Sequence, residues 1–142
     1  MFLKQLSVFI ENRKGRLEDV LKILKENNIN IISLSLADTE DYGVLRLIVS
    51  DPEAARGVLK ENGFSAVLTE VLAVRLAHSV GQLQELLEAI CEAQINVEYM
   101  YAMSTGIDDA CIVLKPSDLT RTGQLLSMDG VELVTRADIE KM

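Results

Sequence analysis

A basic surface is the first thing this chain is missing. Its 142 residues carry 14 lysines and arginines against 22 aspartates and glutamates, a net charge of −8, and the basic residues are scattered rather than gathered into a stripe. Phosphate backbones and anionic membranes need a concentrated counter-charge, so neither nucleic acid nor a membrane is an expected partner. Long apolar runs are missing too. Apolar residues make up 49% of the chain, ample for two small cores, yet no run approaches the roughly 20 residues of a membrane span. Met1 leads almost at once into an alternating strand pattern, so no signal peptide is read and a cytoplasmic, reducing location is expected. Reactive side chains are sparse. Cys91 and Cys111 lack metal-type spacing and read as two buried thiols. His78 is the single histidine. No acidic spacing completes a metal site around it, and Ser79 beside it is badly placed to be activated as a nucleophile. No metal, cofactor or catalytic residue is therefore expected, and the chain reads as a non-enzyme.

What the chain does have is a repeat. Gly15 and Gly81 are 66 positions apart (81 − 15), and the same shift places Leu6 on Leu72, Val8 on Val74, Leu17 on Leu83 and Leu21 on Leu87. It also places Glu26 on Glu92, Ile29 on Ile95 and Asn30 on Asn96, and, in the second helix, Gly57 on Gly123 and Leu59 on Leu125. A gapless alignment from first strand to second helix is the expectation. Each copy has enough strand and helix to enclose its own core, which argues two small domains rather than a solenoid.

The first copy opens with Leu6, Val8 and Ile10 alternating against Gln5, Ser7 and Phe9, a strand pattern. Leu17, Val20, Leu21 and Leu24 follow at helical spacing, with Glu18 and Asp19 early and Lys22 and Lys25 late, as the helix dipole prefers. Residues 29–37 read as a second strand, with Ile32, Leu34 and Leu36 opposed to Ile31, Ser33 and Ser35, and residues 44–49 as a third. Asp51 and Pro52 suit the N-cap and first position of a second helix, ended by Asn62-Gly63. Residues 64–68 form the fourth strand. The order βαββαβ, with right-handed crossovers, gives a ferredoxin-like layer. The expected fold class is therefore α+β: two such domains in tandem, residues 1–68 and 69–142, each an antiparallel sheet with its helices on one face. The strand-forming run from 64 to 77 is too long for one strand of so small a domain at about 3.3 Å per residue, so a bend is expected near Thr69-Glu70. In the second copy residues 131–135 are the expected last strand, and 137–142 a short tail or a frayed helical turn.

Two joints carry the chemistry. Asn12-Arg13-Lys14-Gly15-Arg16-Leu17 sets a glycine and free backbone N–H groups at a helix N-terminus, where a carboxylate is welcome, and Asn12 can both donate and accept. Asn28-Ile29-Asn30-Ile31 joins the first helix to the second strand, and Asn30 recurs as Asn96 within Gln94-Ile95-Asn96-Val97. One copy alone reads as ordinary turns. The strings Val8 to Leu17 and Glu26 to Ile31 resemble the ligand-loop signature of ACT domains, small βαββαβ modules that bind amino acids and regulate metabolic enzymes.

The resemblance spans nearly the whole chain, as two ACT domains with no catalytic domain between or beside them. It implies a free amino acid held between two modules packed side by side, by the first loop of one and the helix-to-strand joint of its neighbour. Carried over, it implies Asn12, Gly15 and Leu17 for one half-site and Asn30 with Ile31 for the other, and His78, Gly81, Leu83, Asn96 and Val97 in the second copy. The proline usual before the loop glycine is Lys14 here and Val80 in the second copy, and His78 stands where the first copy has Asn12, so the two sites are not equivalent. A regulatory amino-acid-binding protein is the implied function. The alternative is a regulatory subunit of an amino-acid biosynthetic enzyme, for example in branched-chain synthesis, with such an enzyme as partner. If Leu6, Val8, Met100 and Ala102 face the helices, then Phe9, Val97, Tyr99 and Tyr101 face away. A semi-apolar sheet face is usually covered, so a homodimer is expected.

Overall fold

The computed structural model describes residues 2–38, 41–76, 80–104 and 110–141. The chain divides into two compact units, Lys4–Thr69 and Glu70–Met142, the latter joined by the N-terminal residues up to Leu3. In the first unit β1 (Leu3–Glu11), α1 (Arg16–Glu26), β2 (Ile31–Asp38), β3 (Tyr42–Val49) and α2 (Pro52–Glu61) lead into β4 (Ser65–Leu76). The strands stand in the order β2-β3-β1-β4. β1 and β2 both pair antiparallel with β3, with Leu6 opposite Leu47 and Leu36 opposite Leu45. The second unit continues with α3 (Gln82–Glu92), β5 (Val97–Ser104), β6 (Ala110–Pro116), α4 (Leu119–Met128) and α5 (Arg136–Glu140). Its strands stand in the order β4-β6-β5.

In each unit both helices pack on one face of the sheet. Val20 and Leu24 of α1 and Ala55 and Leu59 of α2 close over Leu6, Val8, Ile10, Leu45 and Leu47. Leu86 and Ile90 of α3 and Leu126 of α4 close over Leu72, Val74, Leu76 and Leu114. Leu6, Leu24, Leu47, Leu59, Leu72 and Leu114 are fully buried, each worth about 1.5–3 kcal/mol of apolar transfer. The helix starts follow local chemistry. Asp51 caps α2, its carboxylate accepting the Ala54 N–H at 3.1 Å with Pro52 at the first position, and Asp118 caps α4 through the Arg121 N–H at 3.0 Å.

The structure corrects the repeat in its second half. Leu6 faces Leu47 and Leu72 faces Leu114, so from the third strand on the shift is 67 (114 − 47). The helix caps Asp51 and Asp118 and the positive-φ glycines Gly63 and Gly130 keep that same shift. The fully buried Leu59 therefore answers to Leu126 rather than to Leu125, and Gly57 does not answer to Gly123. Strand pairing locates the extra residue. Asp38 pairs with Gly43 and Ser104 with Ala110, so it falls between 104 and 110, a connection where added length costs little.

Three further expectations change. The run from 64 to 77 is not two strands: Ser65–Leu76 is one strand of 12 residues, and the division between units falls within it, at Thr69 and Glu70. The expected last strand contracts to one bridge, Leu133 to Val74, flanked by bonds from Arg75 N–H to the Glu132 carbonyl (2.9 Å) and from Val134 N–H to the Ala73 carbonyl (2.8 Å). The tail becomes α5, started by a reciprocal capping box between Thr135 and Asp138, with Ile139 buried. Asp138 also lies 4.0 Å from the Arg75 guanidinium.

Finally, both second strands carry a bulge at the same place, between Ile31 and Ser33 and between Val97 and Tyr99. A bulge drops one step of the alternation, which turns Ile31 and Val97 toward the helices, where both pack against the cores. Val97 therefore does not share the outer face with Tyr99 and Tyr101, which are half-buried, while Phe9 stays 47% exposed. Of the two thiols, Cys111 is buried and Cys91 is exposed on α3, because the core-facing positions of that helix are Leu86 and Ile90.

Candidate functional site

The first joint starts its helix in the same way in both copies. β1 ends at Glu11, and the next residue is tied across to the β2–β3 turn by its backbone: Asn12 N–H donates to the Asp41 carbonyl at 3.0 Å. Gly15 then takes φ +88° as the N-cap of α1, and Gly81 takes φ +88° as the N-cap of α3. The left-handed region is strained for an L side chain. Neither helix has a side-chain cap at this end, so the N–H groups of the first turn, at Leu17 and Glu18 or Leu83 and Gln84, are left for water or an anion. The Asn12 side chain is exposed beside them. His78 lies outside the described residues.

The second joint is a backbone clamp, also built twice. Asn28 and Gln94 adopt φ 57° and 61°, ending each helix. Beyond them the Asn30 N–H donates to Ser50 Oγ at 3.0 Å and its carbonyl accepts the Ser50 N–H at 2.9 Å. Asn96 repeats this with Ser117, at 3.1 Å and 2.8 Å. With the main chain so held, the exposed Asn30 and Asn96 amide side chains have both donor and acceptor capacity to offer. The clamp serines escape a reading by fixed offset, because Ser50 and Ser117 are related by 67 positions and their asparagines by 66.

Each copy has a hollow lined, among the described residues, by one of its two joints. In the first unit a concavity of about 530 Å³ is lined by Asn30 and Ile31 with Leu21 and Lys25, without the loop residues Asn12, Gly15 or Leu17. In the second, a groove of about 800 Å³ along α3 is lined by Gly81 and Leu83, without Asn96 or Val97. Ile31 and Val97 spend part of their side chains on the cores. The first copy's hollow thus holds the helix-to-strand joint, and the second copy's groove the start of α3. Among the described residues no group of three or more His, Cys, Asp or Glu could hold a metal ion, and no helix is long and apolar enough to cross a membrane.

Arg16, at the first position of α1, was not singled out by the sequence. Its guanidinium lies 4.3 Å above the Phe64 ring and 3.3 Å from the Asp19 carboxylate, a cation packed on an aromatic face with an ion pair at its rim.

A family model described as an ACT domain pair matches residues 1–142. Among solved structures, the chain is similar to protein BT0572 from Bacteroides thetaiotaomicron, with 35% identity and a TM-score of 0.93 over 100% of this chain and 98% of that one. It shares a fold with the regulatory subunit of aspartate kinase from Thermus thermophilus in its ligand-free form, at 14% identity and TM-score 0.62, over 88% and 91% of the two chains. It is also similar in fold to Escherichia coli aspartokinase III in complex with lysine and aspartate, at 16% identity and TM-score 0.53, over 90% of this chain and 31% of that one. No curated protein matches.

Proposed function

Because the chain belongs to the ACT domain pair family, we propose that it is a non-catalytic regulatory protein that binds a free amino acid between ACT modules. The observation that carries this reading is the paired construction: an uncapped, glycine-started helix and a serine-clamped asparagine, built twice in one chain. The ligand carboxylate would take the first-turn N–H groups of α1 or α3, and its ammonium the Asn30 or Asn96 side-chain oxygen and nearby carbonyls. With the first loop of one module and the helix-to-strand joint of its neighbour holding the ligand together, a complete site would join two modules. A second copy of the chain, in a homodimer, would supply the neighbour. Binding would then favour one arrangement of modules by the ligand's differential affinity for it.

A second reading takes support from the fold shared with the aspartate kinase regulatory subunit: the chain acts as the regulatory partner of an amino-acid biosynthetic enzyme. Co-purification of a stoichiometric larger subunit supports it; a chain that purifies alone and still binds its amino acid returns the weight to the first reading. The test of both is a thermal-shift screen of the twenty amino acids. A ligand at about 100 times its Kd adds about 2.7 kcal/mol to folded-state stability. Asn30→Ala should lose that shift while keeping its own melting midpoint near the parent's, and an unchanged shift would return Asn30 to a turn residue.

A further inference from the structure

The duplication allows each position of one copy to be compared with its counterpart, and one region differs in kind. Between α3 and α4 the second unit has a partly enclosed hollow of about 340 Å³, lined by Gln82, Glu85, Ala89, Asp129 and Val131 above the buried Leu126. Their counterparts in the first copy are Arg16, Asp19, Ile23, Asn62, Phe64 and Leu59. The correspondence is fixed by backbone bonds, since Val131 N–H donates to the Leu126 carbonyl as Phe64 N–H does to that of Leu59, both at 2.9 Å. Asn62 and Asp129 are both C-caps, of α2 and α4. In the first copy this space is occupied from within. The Arg16 guanidinium stacks on Phe64 and pairs with Asp19.

In the second copy arginine, phenylalanine and isoleucine are replaced by glutamine, valine and alanine, so the internal occupant and its platform are both withdrawn. The negative charge stays and grows. Glu85 replaces Asp19, and Asp129 replaces the neutral Asn62 at the end of α4, where the helix dipole already favours a cation. The first copy balances one carboxylate with one guanidinium; the second sets two carboxylates around a hollow that no lysine or arginine among the described residues lines.

We propose that this hollow is a binding site for a small organic cation, an alkylguanidinium or alkylammonium. The charged head lies between Glu85 and Asp129 and the alkyl stem on Ala89, Leu126 and Val131. Charge-assisted hydrogen bonds to two carboxylates select the cation, and the apolar floor selects a stem of a few carbons. The hollow shares Gln82 with the groove along α3 and is lined by none of Gly81, Leu83, Asn96 or Val97.

The test uses the full chain, labelled with nitrogen-15 and titrated with n-butylguanidinium to about 10 mM, a range that suits the affinity of so small a ligand. Saturable amide shifts at Glu85, Ala89 and Asp129 are expected, and none with the neutral isostere n-butylurea. Glu85→Gln with Asp129→Asn should weaken binding at least about tenfold. Gln82→Arg with Val131→Phe rebuilds the first copy's occupant; it should raise the melting midpoint and abolish the response. Asn12→Ala should bind the probe as the parent does, so failure of the amino-acid site leaves this one standing. Light scattering with and without probe separates the source of the cation: an unchanged mass marks a free ligand, and a mass that falls marks an arginine or lysine side chain of a second copy. Absence of saturable shifts, equal response to butylurea, or undiminished binding in the filled or the neutralised variant would overturn the proposal.

Discussion

Replacing Gly15 by alanine isolates what the loop conformation costs. The glycine sits at φ +88° and an added Cβ would meet nothing within 4 Å, so the penalty is conformational rather than steric. Placing an L residue in the left-handed region costs about 1–2 kcal/mol. Alanine also narrows the unfolded ensemble, which returns about 0.4–1 kcal/mol. The net expectation is a loss of about 1 kcal/mol in urea unfolding, with an unchanged denaturant slope. Gly81→Ala should cost the same, since it shares φ +88° and the same open space. Gly15→Asn should cost less, because asparagine tolerates this region. A neutral Gly15→Ala would mean that the joint relaxes out of the left-handed conformation. A loss above about 3 kcal/mol would mean that the Cβ meets protein after all. Either result refutes the reasoning.

The two clamps should answer alike: Ser50→Ala removes the acceptor of the Asn30 N–H and Ser117→Ala that of the Asn96 N–H. Each should cost about 0.5–1.5 kcal/mol and speed hydrogen exchange at the corresponding asparagine amide. Ile139→Ala removes the buried anchor of α5 and should cost about 2 kcal/mol, the low end for deleting a core aliphatic, measured by urea unfolding. Asp138 supplies a pH dependence: hydrogen bonds from the Thr135 backbone and side chain, aided by Arg75, hold its carboxyl below 3.8. A depressed carboxylate stabilises the fold above its unfolded value and loses that contribution as pH falls through the folded one. Asp138→Asn should therefore lower stability at neutral pH and flatten the acid limb of the profile below about pH 4, where variant and parent converge.

The helices, their order and the cores were legible because apolar residues repeat with the helix and strand periods and Asp51-Pro52 marks a helix start with its own chemistry. The gapless repeat was not sound beyond β5. Gly57 on Gly123 and Leu59 on Leu125 matched by residue type alone, whereas the pairing of Leu47 and Leu114 with their first strands fixes the true shift. Bulges at Ile31 and Val97 were hidden because alternation of residue types survives the loss of one step in pairing. That one strand runs through the boundary at Thr69 and Glu70 was not legible, since a run of that length looked too long for one strand of so small a domain. The tail was open between coil and a frayed helical turn, and the Thr135 capping box is what settles it as α5. The recurring backbone of the joints, with Gly15 and Gly81 starting helices and Asn30 and Asn96 clamped by serines, stands where the repeat placed it. The Arg16 stack was not legible, because Phe64 is distant in sequence and only the fold sets it under the guanidinium; nor was the hollow that its absence opens in the second copy.

The measurement closest to the central claim is the response of individual amides to a saturating amino acid. The cognate ligand should shift the Leu17 and Glu18 backbone amides downfield, as a carboxylate caps the open turn of α1. It should also shift the side-chain amides of Asn12 and Asn30, in one saturable step. Shifts confined to residues outside the two joints of each copy, or no shift with any of the twenty amino acids at about 10 mM, would contradict the assignment of these joints as an amino-acid site.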